Sequence, residues 1–294
     1  MEDSVSKKIE NETKKTEIDL QFHWYLFSFF VIYLVSFLIP GIILLLYVLI
    51  FFKPYVLDNP SLTGLFFNWQ PLTFLMILPL MVIGCYLLHL LFVGLITKIL
   101  WGITEKKCPT VGGIIQRNVP SKMLNYYHIR SFLLKYPKNA FVKGPFPWLV
   151  NWLFNFVGSS KIGKGSTVEE EIAADKFVDI GENCYIGVNS AICSHTVEGI
   201  FGRIPYFEIN LGDNVTCSAF NIVGPGSELQ DNSYLLPLGC TGKHQVTKGN
   251  NFYFGIPMRK IFKRKIIDYL KVSKADLKDE KEISKIQESE IENQ

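Results

Sequence analysis

The chain has 294 residues, 48% of them hydrophobic, with 23 phenylalanines and a formal net charge of +3. A mean hydropathy of +0.20 is too apolar for a purely soluble chain, and the length allows one or two domains. The six cysteines show neither a CxxC pair nor a metal-ligand spacing, so each is expected reduced and packed rather than bonded to a metal. Nucleic acid is not among the expected partners.

Residues 1–23 mix lysines with six acidic residues and few apolar ones, which predicts a disordered polar tail. From Trp24 to Phe52 no residue is charged. That run exceeds the ~20 residues that cross a bilayer as a helix, and Pro40-Gly41 in its middle is expected to kink or split it. Residues 53–70 read as a short loop anchored at the interface by Phe66, Phe67 and Trp69. Pro71–Thr97 is a second uncharged run and a second span, with His89 inside it.

The loop between the runs carries only Lys53, whereas residues 98–143 carry nine lysines and arginines against Glu105. The positive-inside rule then places both termini and everything after the spans in the cytoplasm. Residues 24–108 therefore form the two-helix transmembrane region. Residues 109–160, rich in aromatics, prolines and bases, read as interfacial helices whose cations meet anionic headgroups. His128 and Arg130 are candidates to line an entrance to a site.

From residue 162 the rhythm changes. An apolar residue returns every six positions at Ile162, Val168, Ala174, Ile180, Ile186 and Ile192, then after a break at Leu211, Cys217, Val223, Leu229 and Leu235. Glycine often follows it, as at Gly163, Gly181 and Gly187, where it is expected to ease a turn, and four places after each start the residue is usually small or β-branched. Neither an amphipathic helix nor an alternating strand sustains a period of six. The fold class predicted is membrane α plus all-β: two transmembrane helices followed by a single-stranded left-handed β-helix, a hexapeptide solenoid, over 161–258. Residues 259–294 would supply a basic capping helix and a charged tail.

The break at 197–210 throws one loop out of the repeat, and such excursions usually build binding sites. His195, at a corner of the coil, stands at its root. An imidazole ordinarily titrates near 6.5, which suits a general base. Glu198 could orient it.

These hexads, with Tyr253-Phe-Gly-Ile-Pro-Met-Arg-Lys260 resembling a Gly-x-Pro-x-Arg/Lys terminator, make the chain similar to the hexapeptide-repeat acyltransferases of left-handed β-helix fold, a trimeric superfamily. The resemblance covers about 100 of the 294 residues. The segments 171–187 and 194–199 behind membrane helices further resemble the C-terminal region of polylysine-synthetase-type amino-acid ligases, although the adenylation and carrier domains of that family have no counterpart here. The resemblance implies a membrane-anchored acyltransferase moving an acyl group from coenzyme A or a carrier thioester to a hydroxyl or amine, and the membrane helices point to a lipid-linked or membrane-confined acceptor. His195 would be its general base. It also implies a homotrimer, and a coenzyme A site bordered by Gly239, Gly255, Pro257, Arg259 and Lys260, with no tightly bound cofactor. Metal is not expected, because the repeat offers only His195 and His244 and three histidines are needed for zinc in this fold. The alternative reading is a non-catalytic membrane scaffold.

Overall fold

The computed structural model describes residues 22–58, 61–169 and 176–261. Most of the expected N-terminal tail, the hexad positions Ile172 and Ala174, and the charged segment after Ile261 lie outside the described residues. Helix α1 spans Phe22–Tyr47 and runs unbroken through Pro40, then widens into a π-helix over Val48–Leu57. The segment read as a loop is thus helical to Leu57, and a short helix α2 follows at Leu62–Phe67. The long helix α3 covers Trp69–Lys107. Both long helices, Phe22–Leu57 and Trp69–Lys107, are long and apolar enough to cross a membrane.

Small residues explain how these helices meet. Ser28 and Ser36 of α1 and Thr97 of α3 are buried. The hydroxyls of Ser28 and Thr97 satisfy themselves by donating back to Trp24 and Val93 carbonyls, so polar atoms in the helix pair cost little. Helices α4 (Lys122–Leu133), α5 (Lys135–Val142) and α6 (Val150–Val157) pack against this pair. Gly94 admits the Trp152 ring of α6, which would stand 3.1 Å from a Cβ there. Arg130 does not line an entrance. It is 4% exposed, pairs with Glu105 at 3.0 Å and donates to the Thr104 and Cys108 carbonyls. It thereby caps the C-terminal end of α3, where free carbonyls and the helix dipole attract a cation.

After α6 the chain makes short strands in three parallel stacks, visited in rotation. The first stack holds β2 (Lys161–Ile162), β4 (Val178–Ile180), β8 (Ile209–Leu211) and β11 (Glu228–Leu229). The second holds β3 (Thr167–Val168), β5 (Tyr185–Ile186), β9 (Thr216–Cys217), β12 (Tyr234–Leu235) and β13 (Phe252–Phe254). The third pairs β6 (Ala191–Ile192) with β10 (Ile222–Val223), which Cys240 extends by a bridge to Ile222. In register, Ile162, Ile180, Leu211 and Leu229 stack on one another, as do Ile186, Cys217 and Leu235, and Ile192 on Val223. The sixfold apolar positions therefore form the buried columns. The sheets are nevertheless mixed rather than purely parallel. Strand β7 (Arg203–Tyr206) pairs antiparallel with β1 (Gly113–Gln116), and β14 (Arg259–Ile261), expected to open a basic helix, pairs antiparallel with β13.

Two further hexads begin at Thr241 and Thr247. Thr247 is buried, and its hydroxyl accepts from Gln230 N. Thr241 accepts from Gly224 N at 2.7 Å. A hydroxyl bonded to the neighbouring strand replaces the aliphatic side chain there.

The glycines after the hexad starts serve a different purpose from the one expected. The turns are made two residues later, where φ is positive at Asn183, Asn189, Asn214, Asn232 and Asn250, among others. Asparagine tolerates that left-handed region better than most residues. Gly181 and Gly187 instead leave room for the next strand: a Cβ at Gly181 would lie 2.6 Å from the Gly212 carbonyl oxygen, and one at Gly187 would overlap that of Ser218.

Cys217, wholly buried in the second column, has its thiol pushed up to about 12 by desolvation. The unfolded thiol titrates near 9.0, so between these values the unfolded chain loses a proton that the folded chain keeps. Stability should be unaffected by this group below pH 9 and should fall as pH rises above it. In a maleimide titration at pH 8, Cys217 should react only after unfolding; modification in the native protein would contradict its burial.

Candidate functional site

His195 occupies the fourth place of the hexad beginning at Ile192. In every other described hexad from Ile162 to Thr247 that place has positive φ, from Gly165 to Asn250, but His195 is outside that set. The chain fails to turn the corner there and leaves the stack. Residues 195–206 return as a hairpin, with His195 bridged to Tyr206 and Glu198 to Arg203. β7 then docks on β1, so the excursion is held against the segment following α3. The chain re-enters the first stack at β8, and Ile209 N donates to the Phe177 carbonyl.

Around His195 the structure assembles an aromatic box. The ring lies edge-on to Tyr127 of α4 at 5.5 Å and to Tyr206 at 6.5 Å. Lys176, 3% exposed, sets its ammonium over the same Tyr127 ring at 4.3 Å and bonds the Ser131 hydroxyl. Ser194 Oγ donates to the Lys176 carbonyl at 2.8 Å. The imidazole is half-buried against two rings, and the buried Lys176 ammonium lies over both of the same rings, at 4.3 and 5.8 Å from their centroids.

Glu198 is engaged elsewhere. One carboxylate oxygen accepts from Arg203 Nε at 2.5 Å and the other meets the Lys243 ammonium. It clamps the hairpin tip onto the stack below. His244 follows Lys243 on the same corner, one coil beyond Gly226, where any Cβ would strike its ring. Phe207, leaving the hairpin, packs on His244 at 4.4 Å. One edge thus carries Phe177, His195, Gly226 and His244 in succession.

Of the five residues assigned to coenzyme A, Gly239, Gly255 and Pro257 lie at the far edge of the third stack, whereas Arg259 and Lys260 belong to β14, which pairs with β13 of the second stack. Asn221 Nδ2 donates to the Gly239 carbonyl at 3.1 Å, and Cys240 N donates to the Gly255 carbonyl at 3.0 Å. Gly255 has φ of 96°, the Ile256–Pro257 peptide is cis, and Met258 N returns to the Cys240 carbonyl. Arg259 and Lys260 are exposed on β14. His195 and this turn therefore lie at opposite edges of the third stack, three strand spacings, roughly 14 Å, apart along it. Among the described residues no group of three or more His, Cys, Asp or Glu could hold a metal ion.

The sequence reading did not bring Tyr127, Lys176 or Tyr206 to the site.

No protein-family model matches the chain, and no curated protein does. Solved structures do. A maltose O-acetyltransferase from Clostridium difficile 630 aligns at 19% identity over 36% of this chain and 59% of its own, with a TM-score of 0.31. A hexapeptide-repeat-containing acetyltransferase from Vibrio cholerae aligns at 15% identity over 36% and 64%, with a TM-score of 0.33. A galactoside acetyltransferase in complex with coenzyme A aligns at 24% identity over 36% and 56%, with a TM-score of 0.31. The chain spans about three fifths of the length of these structures.

Proposed function

We propose that residues 161–258 wind into a left-handed, three-sided β-helix and that the protein is a membrane-anchored acyltransferase using coenzyme A or a carrier thioester as donor. The observation that supports this most is the position of His195: it stands where a regular corner is replaced by a hairpin, at the edge of the third stack opposite the Gly255–Pro257 turn. In that role His195 takes the proton of an acceptor hydroxyl or amine. The acceptor atom bonds to the acyl carbon, the carbon–sulfur bond breaks, and the imidazolium returns the proton to the leaving thiolate. Glu198 acts as a positioning residue, holding the hairpin down through Arg203 and Lys243. Arg259 and Lys260 supply cations beside the terminal turn, where nucleotide phosphates would lie.

The two long helices anchor the chain with both termini and the stack on the cytoplasmic side, and a flat-faced stack of this size fits a homotrimer. The acceptor is then a molecule confined near the bilayer. Exposure of Ile200 at 96% and Phe201 at 65% on the hairpin tip favours a second reading, a scaffold that presents this tip to another protein.

A thermal-shift titration separates the two. Acyl-CoA that binds only the folded chain should raise its melting temperature, by about 2.7 kcal/mol of stability at a hundred times Kd. No shift with coenzyme A, acetyl-CoA or an acyl-carrier thioester would favour the scaffold.

A further inference from the structure

A cavity lies outside the hexads, in the helical part of the chain. It has a volume of about 380 Å³ and opens between the start of α1 and the outer side of α5. Its apolar wall is Tyr25 and Phe29, and its other wall carries Lys135, Lys138 and Lys143. The floor is Tyr136, whose hydroxyl lies 3.0 Å from Nε2 of the buried His89 of α3. Phe29 and Tyr33 hold the Tyr136 ring edge-on at 5.5 and 5.2 Å, and Phe37 stacks on His89 at 3.7 Å. His89 is thus a positioning residue that fixes a tyrosine at the mouth of the helix pair.

We propose that this cavity binds the headgroup of an anionic glycerophospholipid. The lysines match a phosphate monoanion, and Tyr136 and Asn139 add neutral polar groups beside them. The aromatic wall continues into the exposed apolar surface of α1 at Phe22, Leu26 and Phe30, along which acyl chains would lie. A free nucleotide or phosphate would leave that wall unused. Aromatic rings at the mouth and cations just outside it are where a bilayer's headgroup layer falls. The inference rests on α1 and α3 crossing the membrane; it does not depend on the acyl-transfer reading.

The test uses the full chain in detergent, with short-chain phosphatidylglycerol, phosphatidylcholine and inorganic phosphate as separate probes of melting temperature, and Lys135→Gln/Lys138→Gln as the variant. Phosphatidylglycerol alone should stabilise the wild type, and its apparent affinity should fall roughly fivefold per lysine removed. Equal stabilisation by phosphatidylcholine, equal stabilisation by inorganic phosphate, or an unchanged affinity in the variant would each overturn the site. Lys135→Gln alone, at an exposed position, guards against a double variant that does not fold. Flotation with phosphatidylcholine vesicles is read in parallel. If the wild type does not float, the membrane reading has failed; if it floats but phosphatidylglycerol stabilises it no more than phosphatidylcholine does, the cavity assignment has.

Discussion

Replacing His195 with alanine should lower acyl transfer by a factor of about 10² to 10⁴, the usual contribution of a general base, while the chain stays folded. The ring touches Tyr127 and Tyr206 only edge-on, at 5.5 and 6.5 Å. Losing those contacts costs stability on the order of 1 kcal/mol, well below what would unfold a domain of this size. Release of free thiol from acetyl-CoA, measured with a panel of amine and hydroxyl acceptors, gives the rate, and circular dichroism checks the fold. Turnover at the wild-type rate in the variant would remove the imidazole from the mechanism. The companion substitution Glu198→Gln separates the two roles, since a residue that only clamps the hairpin should raise KM more than it lowers kcat.

Gly187→Ala should be among the most destabilising single methyl additions in the chain, by about 3 kcal/mol or more. Gly187 N donates to the Cys217 carbonyl at 2.7 Å, and a Cβ on that glycine would overlap the Ser218 carbonyl oxygen. Neither strand can retreat without breaking the ladder, because Ile186 and Cys217 are buried in the same column. Gly242→Ala is the control. Its Cβ would meet nothing nearer than Gln245 Oε1 at 3.8 Å, so the change should lie within ±0.5 kcal/mol. Thermal unfolding of the two variants side by side checks the difference. A Gly187→Ala chain as stable as the control would mean that the strands do not approach as closely as described.

The hexad columns were legible in the sequence because burial selects residue type directly. A site facing the interior at every sixth position favours Ile, Leu, Val or Cys, and Ile180, Ile192, Val223 and Leu229 are so filled and 0–1% exposed. Thr241 and Thr247 escaped the same reading, since a hydroxyl that bonds the next strand satisfies an interior position without being apolar. The corner signal was also present as asparagine three places after the start, but the adjacent glycines drew the explanation to a turn when their reason is the closeness of the neighbouring strand. Arg130 was misplaced because a cation's burial depends on a partner, here Glu105 and the end of α3, that lies 25 residues away.

By itself the amino-acid order determined two apolar segments long enough for a bilayer, the sixfold period, and the single interruption with a histidine at its root. These are local properties: each follows from what one residue exchanges with water or with its near neighbours. Only the tertiary structure decided that the interruption is a hairpin docked on residues 113–116, that Tyr127 and Tyr206 flank the imidazole, and that Glu198 belongs to Arg203 and Lys243. Those contacts join segments far apart in the chain. Their formation depends on how packed elements bring side chains together, which no short-range pattern encodes.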